Sequence, residues 1–439
     1  MSRCRNFWIL SLILFLCGVS PRVSAEDAID RLKMDRLSKQ HDAITERKEH
    51  RNQRTVDRPY QDYRANLHVH SAFSHDSRGQ IEQIVAAARA AGTKVLMFTE
   101  HPAPHYDFFV DGHQGMRDGV LLVPGAEMKG FLVYPKQNVQ GFDGADKQDF
   151  SNIVRGRGGL TFVSHLEERM NWEVHGVTGC EIYNTHADFK GESRMLASLK
   201  NPLWLIQAKK MFDAYPQEAL SSLLDYPEDY LKRWDELCLI HPHTGVSAND
   251  SHQNVGLVIR LIEGGKVQVE DPLGDKLLEL DKAVFSLIQK IPEDAAIGME
   301  LFRMQLDSYE HSLRHVGTHL LMKDLSSESV WDALNAGRVF VAFDWMADST
   351  GFDWVALDNA QRIEMGSECS WKQDMLVQGS APHSVRWKVI RNGKQVYESV
   401  AEQISYRVAE PGIYRAEAWL DLAGTEQVWV LSNPIYLRE

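Results

Sequence analysis

The sequence predicts an α/β barrel followed by a small all-β sandwich, on two observations. Six short apolar runs between residues 66 and 252 are each about the length of a buried strand. Each ends at a side chain able to ligate a metal, and most are separated by enough chain for a crossover helix. From about Met346 onward the apolar residues instead alternate with period two, the mark of half-buried antiparallel strands. In α/β barrels functional residues gather at the carboxyl ends of several strands, so the recurrence at one structural position carries more weight than any single member.

At 439 residues the chain is too long for one core and predicts roughly two or three domains. A net charge of −13 and a pI near 5.8 argue against a nucleic-acid backbone or an anionic membrane surface as partner. A small-molecule substrate, even an anionic one, remains compatible because a bound cation outweighs the general field locally. Residues 1–25 read as a signal peptide, with Arg3 and Arg5 before an apolar run and Val23, Ser24 and Ala25 at the cleavage positions. The run is too short for a stable membrane span, so the expected mature protein is exported, periplasmic or secreted. Cys180, Cys238 and Cys369 remain after cleavage; they form no CxxC pair and no disulfide scaffold, though an exported protein could join two of them.

Residues 26–58 are crowded with charges of both signs and read as a mostly solvated helix and a linker. A catalytic domain is expected over residues 59–345. Its first unit is strand, loop, helix. His68 and His70 stand at i and i+2 of the strand, where two imidazoles can face one cation. His75 and Asp76 follow in a loop, and either can return to that ion or to a neighbour. Ser77 and Gln80 suggest a capping box for a helix carrying Ile81, Ile84, Val85 and Ala88. The later runs end at Glu100 and His101, at Glu127, at His165, at Glu181, and at Asp250 and His252. Residues 190–238 form a helical insertion that either packs on the rim or lids the pocket. Arg314, His315 and His319 are candidate neighbours of the site, and Ser327 is the expected cap of the helix that follows. Residues 346–439 are the expected sandwich, with Asn392-Gly393 between alternating apolar residues as its hairpin signal.

The motifs HVHSAFSHD, FTEH, PGAE, VSHLEE, CEIYN and ANDSH, in that order, resemble the PHP family, the polymerase and histidinol phosphatase metallohydrolases, in an exported form with a sandwich tail. The resemblance implies a distorted barrel of about seven βα units and about two or three divalent ions, zinc, manganese or iron. It implies that His68, His70, Glu127 and Asp250 hold one ion and that His75, His101 and His252 hold a second. Glu127 would bridge to a third, bound also by His165. Asp76, Glu100 and Glu181 are further candidates as ligands or supports, and Asp250, His252 and Glu127 are the residues on which catalysis should depend.

Such a cluster hydrolyses esters without a protein nucleophile, by attack of a metal-bridging hydroxide. No GxSxG elbow or P-loop competes with it. The leading expectation is a phosphoesterase acting on a small phosphorylated substrate. The alternatives are hydrolysis of carbamates, esters or amides, and a metal-dependent binding protein without turnover. Within the opening motif, loss of His75 should cost one ion and loss of His68 should disturb the cluster more widely.

Overall fold

Strand β1 (Gln61–Val69) runs from an exposed start to five consecutive buried residues, because its second half is paired on both edges. The computed structural model describes residues 28–52, 56–198, 201–287, 289–359 and 361–439; the leader-like segment and its cleavage position lie outside them. Around β1 lies a large mixed sheet. β2 (Val95–Phe98) pairs parallel with β1, β4 (Val120–Val123) pairs parallel with β2, and β3 (Gly115–Arg117) pairs antiparallel with β4. β5 (Ala126–Met128) and β6 (Phe131–Tyr134) make a hairpin, and β6 pairs antiparallel with β7 (Leu160–Val163). β7, β8 (Gly179–Asn184) and β9 (Thr244–Ser251) are parallel, and β9 returns to β1.

Repetition of strand, ligand and helix is thus interrupted at β5 and β6, where a tight reversal replaces a crossover. Lys129 and Gly130, both at positive φ, make the turn, and Gly125 lets the chain enter β5 close to its neighbours. A Cβ there would lie 2.6 Å from the carbonyl oxygens of both Phe98 and Val133. Elsewhere helices cover the sheet, among them α1 (Ile81–Ala90) and α2 (Lys147–Gly156), which bury Ile84, Val85 and Ala88 and Phe150 and Val154 respectively.

A second, four-stranded antiparallel sheet was not anticipated from the sequence. It comprises β10 (Gly256–Ile262), β11 (Lys266–Glu270), β12 (Lys276–Asp281) and β13 (Glu300–Gln305), ordered β12-β11-β10-β13. Its apolar face shares a core with Leu32 and Leu37 near the start of the described chain and with Phe212 and Leu220 of the helical insertion. The run GLVIRLI reads like any buried strand, so its sequence does not reveal a separate layer.

The region after residue 346 is all β, from β16 (Asp353–Asp358) through β17 (Gln361–Glu364), β18 (Glu368–Ser370), β19 (Leu376–Arg391), β20 (Lys394–Arg407), β21 (Gly412–Leu422) and β22 (Thr425–Ser432) to β23 (Ile435–Arg438). Asn392 and Gly393, both at positive φ, form the turn between β19 and β20, and Val385, Trp387 and Val389 are buried. The tail is hydrogen-bonded to the rest: β14 (Gly317–Met322) pairs with β1 and with β15 (Val339–Ala342), and β15 pairs with β22. The helix before β15 spans Ser327–Asn335, and its cap is Ser326 rather than Ser327, with the Ser326 hydroxyl accepting from the Ser329 N–H. Among the described residues no helix is long and apolar enough to cross a membrane. Cys180, Cys238 and Cys369 are all free thiols.

His319 is not at the candidate site. It lies buried in β14, with Nδ1 2.7 Å from Asp62 and Nε2 2.7 Å from Asp344. Arg64 pairs with Asp344 at 3.2 Å, and Arg58 pairs with Asp62 at 3.6 Å and with Asp353 in the tail at 3.4 Å. Burial opposes the imidazolium, yet Asp62 and Asp344 raise its pKa to about 10. The stabilisation is therefore complete below the unfolded value of about 6.5 and is lost as pH rises through the folded value. His319→Ala should lower stability by about 1–3 kcal/mol near neutral pH, because it removes a charged hydrogen-bond partner from two buried carboxylates and leaves each only its arginine as an ion-pair partner. Denaturant titrations should show the gap to wild type narrowing toward about pH 10; a pH-independent gap would refute the assignment.

Candidate metal centre

The site forms where β1, β2, β5, β7, β8 and β9 end. It depends on an irregularity that strand alternation did not predict. β1 shifts register between Leu67 and Val69 against both neighbours, and His68 at that bulge has φ +62°. His165 (φ +45°) and Asp250 (φ +50°) are also left-handed. Each such non-glycine conformation costs roughly 1–2 kcal/mol, and such strain collects at functional sites. His68 and His70 do share the site, with ring centroids 5.2 Å apart, but through the bulge rather than simple i, i+2 alternation.

Four imidazoles are tethered through Nδ1 and turn Nε2 inward. His68 Nδ1 lies 2.6 Å from Glu181, His70 Nδ1 3.0 Å from the Ser74 hydroxyl, His165 Nδ1 3.1 Å from Glu167, and His252 Nδ1 2.9 Å from the Asp250 carbonyl. Each partner can accept a hydrogen bond from the Nδ1–H, which fixes the tautomer and leaves the Nε2 lone pair for a ligand. Ser74 completes its own set by donating to Glu100 at 2.7 Å and accepting from the His101 N–H at 3.0 Å. Glu100 accepts further bonds from the Ser71 N–H and hydroxyl, so it supports the His70 loop instead of facing a cation. Burial raises its pKa.

Inside this frame the ligand atoms converge. His70, Asp76, His101 and His252 each offer one atom within 4.8 Å of the others; so do His68, His165 and Asp250, then His68, His70 and Glu127, and then His186, Asp250 and His252. Glu127 touches several of these groups, with Oε2 3.3 Å from His68 and 3.9 Å from His101 and Oε1 3.4 Å from His165. Four buried atoms, His70 Nε2, His252 Nε2, Asp76 Oδ1 and Asp250 Oδ1, have no hydrogen-bond partner. Buried polar atoms are rarely left so. Orphaned nitrogens and carboxylate oxygens aimed at one another fit divalent cations, and nitrogen–oxygen donors suit zinc, manganese or iron.

Charge agrees with this fit. Every ion-pair partner of Asp76, Glu127 and Asp250 among the described residues is a histidine. Burial alone would suppress an imidazolium at His68, but Asp250, Glu127 and Glu181 drive its pKa well up; His165 rises to about 9 against burial, through Glu167 and Asp250. Burial, reinforced by His252, His68 and His101, keeps His70 neutral. Glu127 and Asp250, despite burial, are held below the usual carboxylate range by the facing imidazoles. Protons on His68 and His165 thus supply the positive charge that a cation would supply in their place.

Several expected residues fall elsewhere. His75 is exposed and belongs to none of the ligand groups; its ring lies tilted against His101 with centroids 5.1 Å apart, and the adjacent Asp76 turns inward to contact His101 at 3.2 Å. A two-residue choice in a loop has no periodicity to decide it. Glu181 spends one oxygen on His68 and the other on the His165 N–H at 2.7 Å, which leaves it a support. Ser77 caps no helix; Gln80 is the cap of α1, without a side-chain bond. The Ser77 hydroxyl instead lies 3.1 Å from the His252 carbonyl and 2.8 Å from the Tyr309 hydroxyl, which donates to the His70 carbonyl at 2.7 Å. His315 is buried against Tyr183 and Ser221, away from the ligands, and Arg314 pairs with Glu310.

His186 was missed. Its Nδ1 lies 3.2 Å from Asp250, on the helix α3 (Thr185–Gly191) that starts directly after β8. Its position two residues beyond Asn184 was the available signal. Tyr230 was missed too; it stands on α4 (Glu228–Ile240) of the insertion and donates to Glu167 at 2.5 Å, so the insertion reaches the shell behind His165.

Residues 66–214 match the family described as PHP domain, a stretch that contains His68 through His186 and ends before Asp250. Among solved structures, the chain is similar to a two-domain protein from Bacteroides vulgatus containing a predicted PHP-like metal-dependent phosphoesterase. The identity is 13%, with 87% of this chain and 98% of that one covered, at a TM-score of 0.36. No curated protein matches the chain.

The geometry reverses the expectation for His75. Asp76→Ala should lower metal bound per mole, His75→Ala should not, and Glu181→Gln should weaken metal affinity by about 10–100-fold through loss of the His68 tether. Elemental analysis of dialysed protein checks all three; equal metal loss in the His75 and Asp76 variants would contradict the arrangement.

Proposed function

We propose that the chain, whose residues 66–214 match the PHP domain, is a metal-dependent hydrolase, most simply a phosphoesterase acting on a small phosphorylated substrate. The observation that carries this reading is the set of orphaned, buried ligand atoms on His70, Asp76, Asp250 and His252. His70, Asp76, His101 and His252 would hold one cation and His68, His165 and Asp250 another, with Glu127 between them. The strands β1, β2, β4, β5, β6, β7, β8 and β9 would form the distorted barrel that presents them.

Bound divalent cations supply Lewis acidity to the substrate oxygens and lower the pKa of water. The protein does the rest. Glu181, Ser74, Glu167 and the Asp250 carbonyl hold four imidazoles in one tautomer, so no ligand must rotate or shed a proton as charge develops. In the overall reaction water oxygen joins phosphorus, the bond from phosphorus to the alcohol oxygen breaks, and the alcohol takes up a proton. His186, adjacent to Asp250 and partly open to solvent, is placed to pass that proton.

Hydrolysis of a carbamate, ester or amide is the second reading. It is favoured by the absence of any lysine or arginine paired with Asp76, Glu127 or Asp250 among the described residues, since a carbonyl substrate brings no phosphate charge to neutralise. The leader-like first residues support an exported location.

The test is direct. Full-length protein should contain divalent metal and turn over phosphomonoesters in preference to phosphodiesters and aryl carbamates. Asp250→Asn should reduce turnover by about 100-fold or more. Preference for carbamates would select the second reading, metal without turnover would leave a binding protein, and activity surviving Asp250→Asn would remove the site assignment.

A further inference from the structure

One of the candidate ligand groups is held from outside the central sheet. The chain leaves β13, an edge strand of the second sheet, at Gln305 and turns through Leu306, Asp307 and Ser308 into a short helix, α5 (Tyr309–His315). Hydrogen bonds from that turn and the first residue of α5 reach three members of the group His70, Asp76, His101 and His252.

Tyr309 is buried, and its hydroxyl donates to the His70 carbonyl at 2.7 Å. The same oxygen lies 3.4 Å from the His252 carbonyl and 2.8 Å from the Ser77 hydroxyl, which itself lies 3.1 Å from the His252 carbonyl. His70 and His252 are the first residues past the ends of β1 and β9, so hydroxyl protons serve their carbonyls in place of a strand partner. Their rings stack 3.9 Å apart, and the two hydroxyls tie their main chains together behind those rings. Gly79 makes room for the Tyr309 hydroxyl, since a Cβ there would lie 2.1 Å from it.

Asp307 extends the clamp. It accepts from the Asn254 and Val255 N–H groups at 3.1 and 3.0 Å, and the Asn254 side-chain amide donates to the Asp76 carbonyl at 3.1 Å. Among the described residues, no hydrogen bond joins residues 305–309 to His68, His165 or Asp250. His68 and His165 are instead tied to Glu181 and Glu167. The two ligand groups therefore have separate supports.

We propose that Tyr309, assisted by Asp307, is a positioning residue for the cation of His70, Asp76, His101 and His252 and not for its neighbour, so that the second sheet sets the affinity of one ion independently of the other. The proposal rests on the metal-centre reading above and adds which part of the fold controls each ion. Tyr309 contacts ligand backbone and no ligand atom, so it acts by fixing where the imidazoles of His70 and His252 stand.

Full-length protein stripped of metal by a chelator is titrated with zinc(II), and the affinity of each ion is read by calorimetry. Tyr309→Phe keeps the ring and removes only the hydroxyl. It should weaken one ion by about 10–100-fold, the range for loss of a support behind a ligand, and leave the other unchanged. Ser77→Ala should act on the same ion in the same direction, and it carries the test if circular dichroism shows the metal-free Tyr309→Phe protein to be unfolded. Asp76→Ala identifies the ion: the double variant Tyr309→Phe/Asp76→Ala should bind the remaining ion as tightly as Asp76→Ala alone. Glu181→Gln should weaken the ion that Tyr309→Phe spares. Equal weakening of both ions by Tyr309→Phe or Ser77→Ala, or no weakening of either, would overturn the proposal and leave the metal centre standing. A wild-type protein that binds no divalent cation would remove the metal centre and the proposal with it.

Discussion

The bond between His68 Nδ1 and Glu181, 2.6 Å long and closed to solvent, is the constraint around which the site is arranged. It joins the bulge of β1 to the middle of β8, and the second oxygen of Glu181 holds the His165 backbone at the end of β7. Three strands are thereby fixed to one carboxylate. The left-handed backbone at His68 and His165 is unfavourable in isolation and persists because this network and the paired strands over-determine it. A carboxylate with no arginine or lysine partner among the described residues is acceptable here because imidazoles, or cations in their stead, complete its charge balance.

Much of this was legible in the sequence, and the boundary of legibility has a physical cause. Apolar runs ending in His, Glu or Asp announced which strands bring the candidate ligands together, because strand length and burial leave a strong compositional trace. The hairpin at Asn392-Gly393 was equally plain, since the turn demands positive φ at both positions. Asp76 against His75 was not decidable, for a loop imposes no period on which neighbour turns inward. Ser77 looked like a helix cap because a capping sequence and a loop clamp use the same hydroxyl; only the approach of Tyr309 over Gly79, where a Cβ would sit 2.1 Å from its hydroxyl, decides between them. His186 stood in view but opened a helix, where its residue type alone gives no sign of function.

The layers outside the central sheet were harder to see for a different reason. β10 to β13 are ordinary strands whose separateness is a matter of partners, and pairing partners leave little mark in a single sequence. The helical insertion was visible as helices, yet the bond from Tyr230 to Glu167 makes it a structural support of the ligand shell as well.

The pairing of β15 with β22 and the buried charges from Arg64 through His319 to Asp353 have a consequence for how such a protein can be altered. The tail is not a cassette. Cutting between residues 345 and 346 would open the edge of β15, uncover Phe340 and Phe343, and strand Arg58 without its second acid. A lineage or an engineer wishing to exchange this tail must replace strand and charges together, so the two parts are constrained to vary as one.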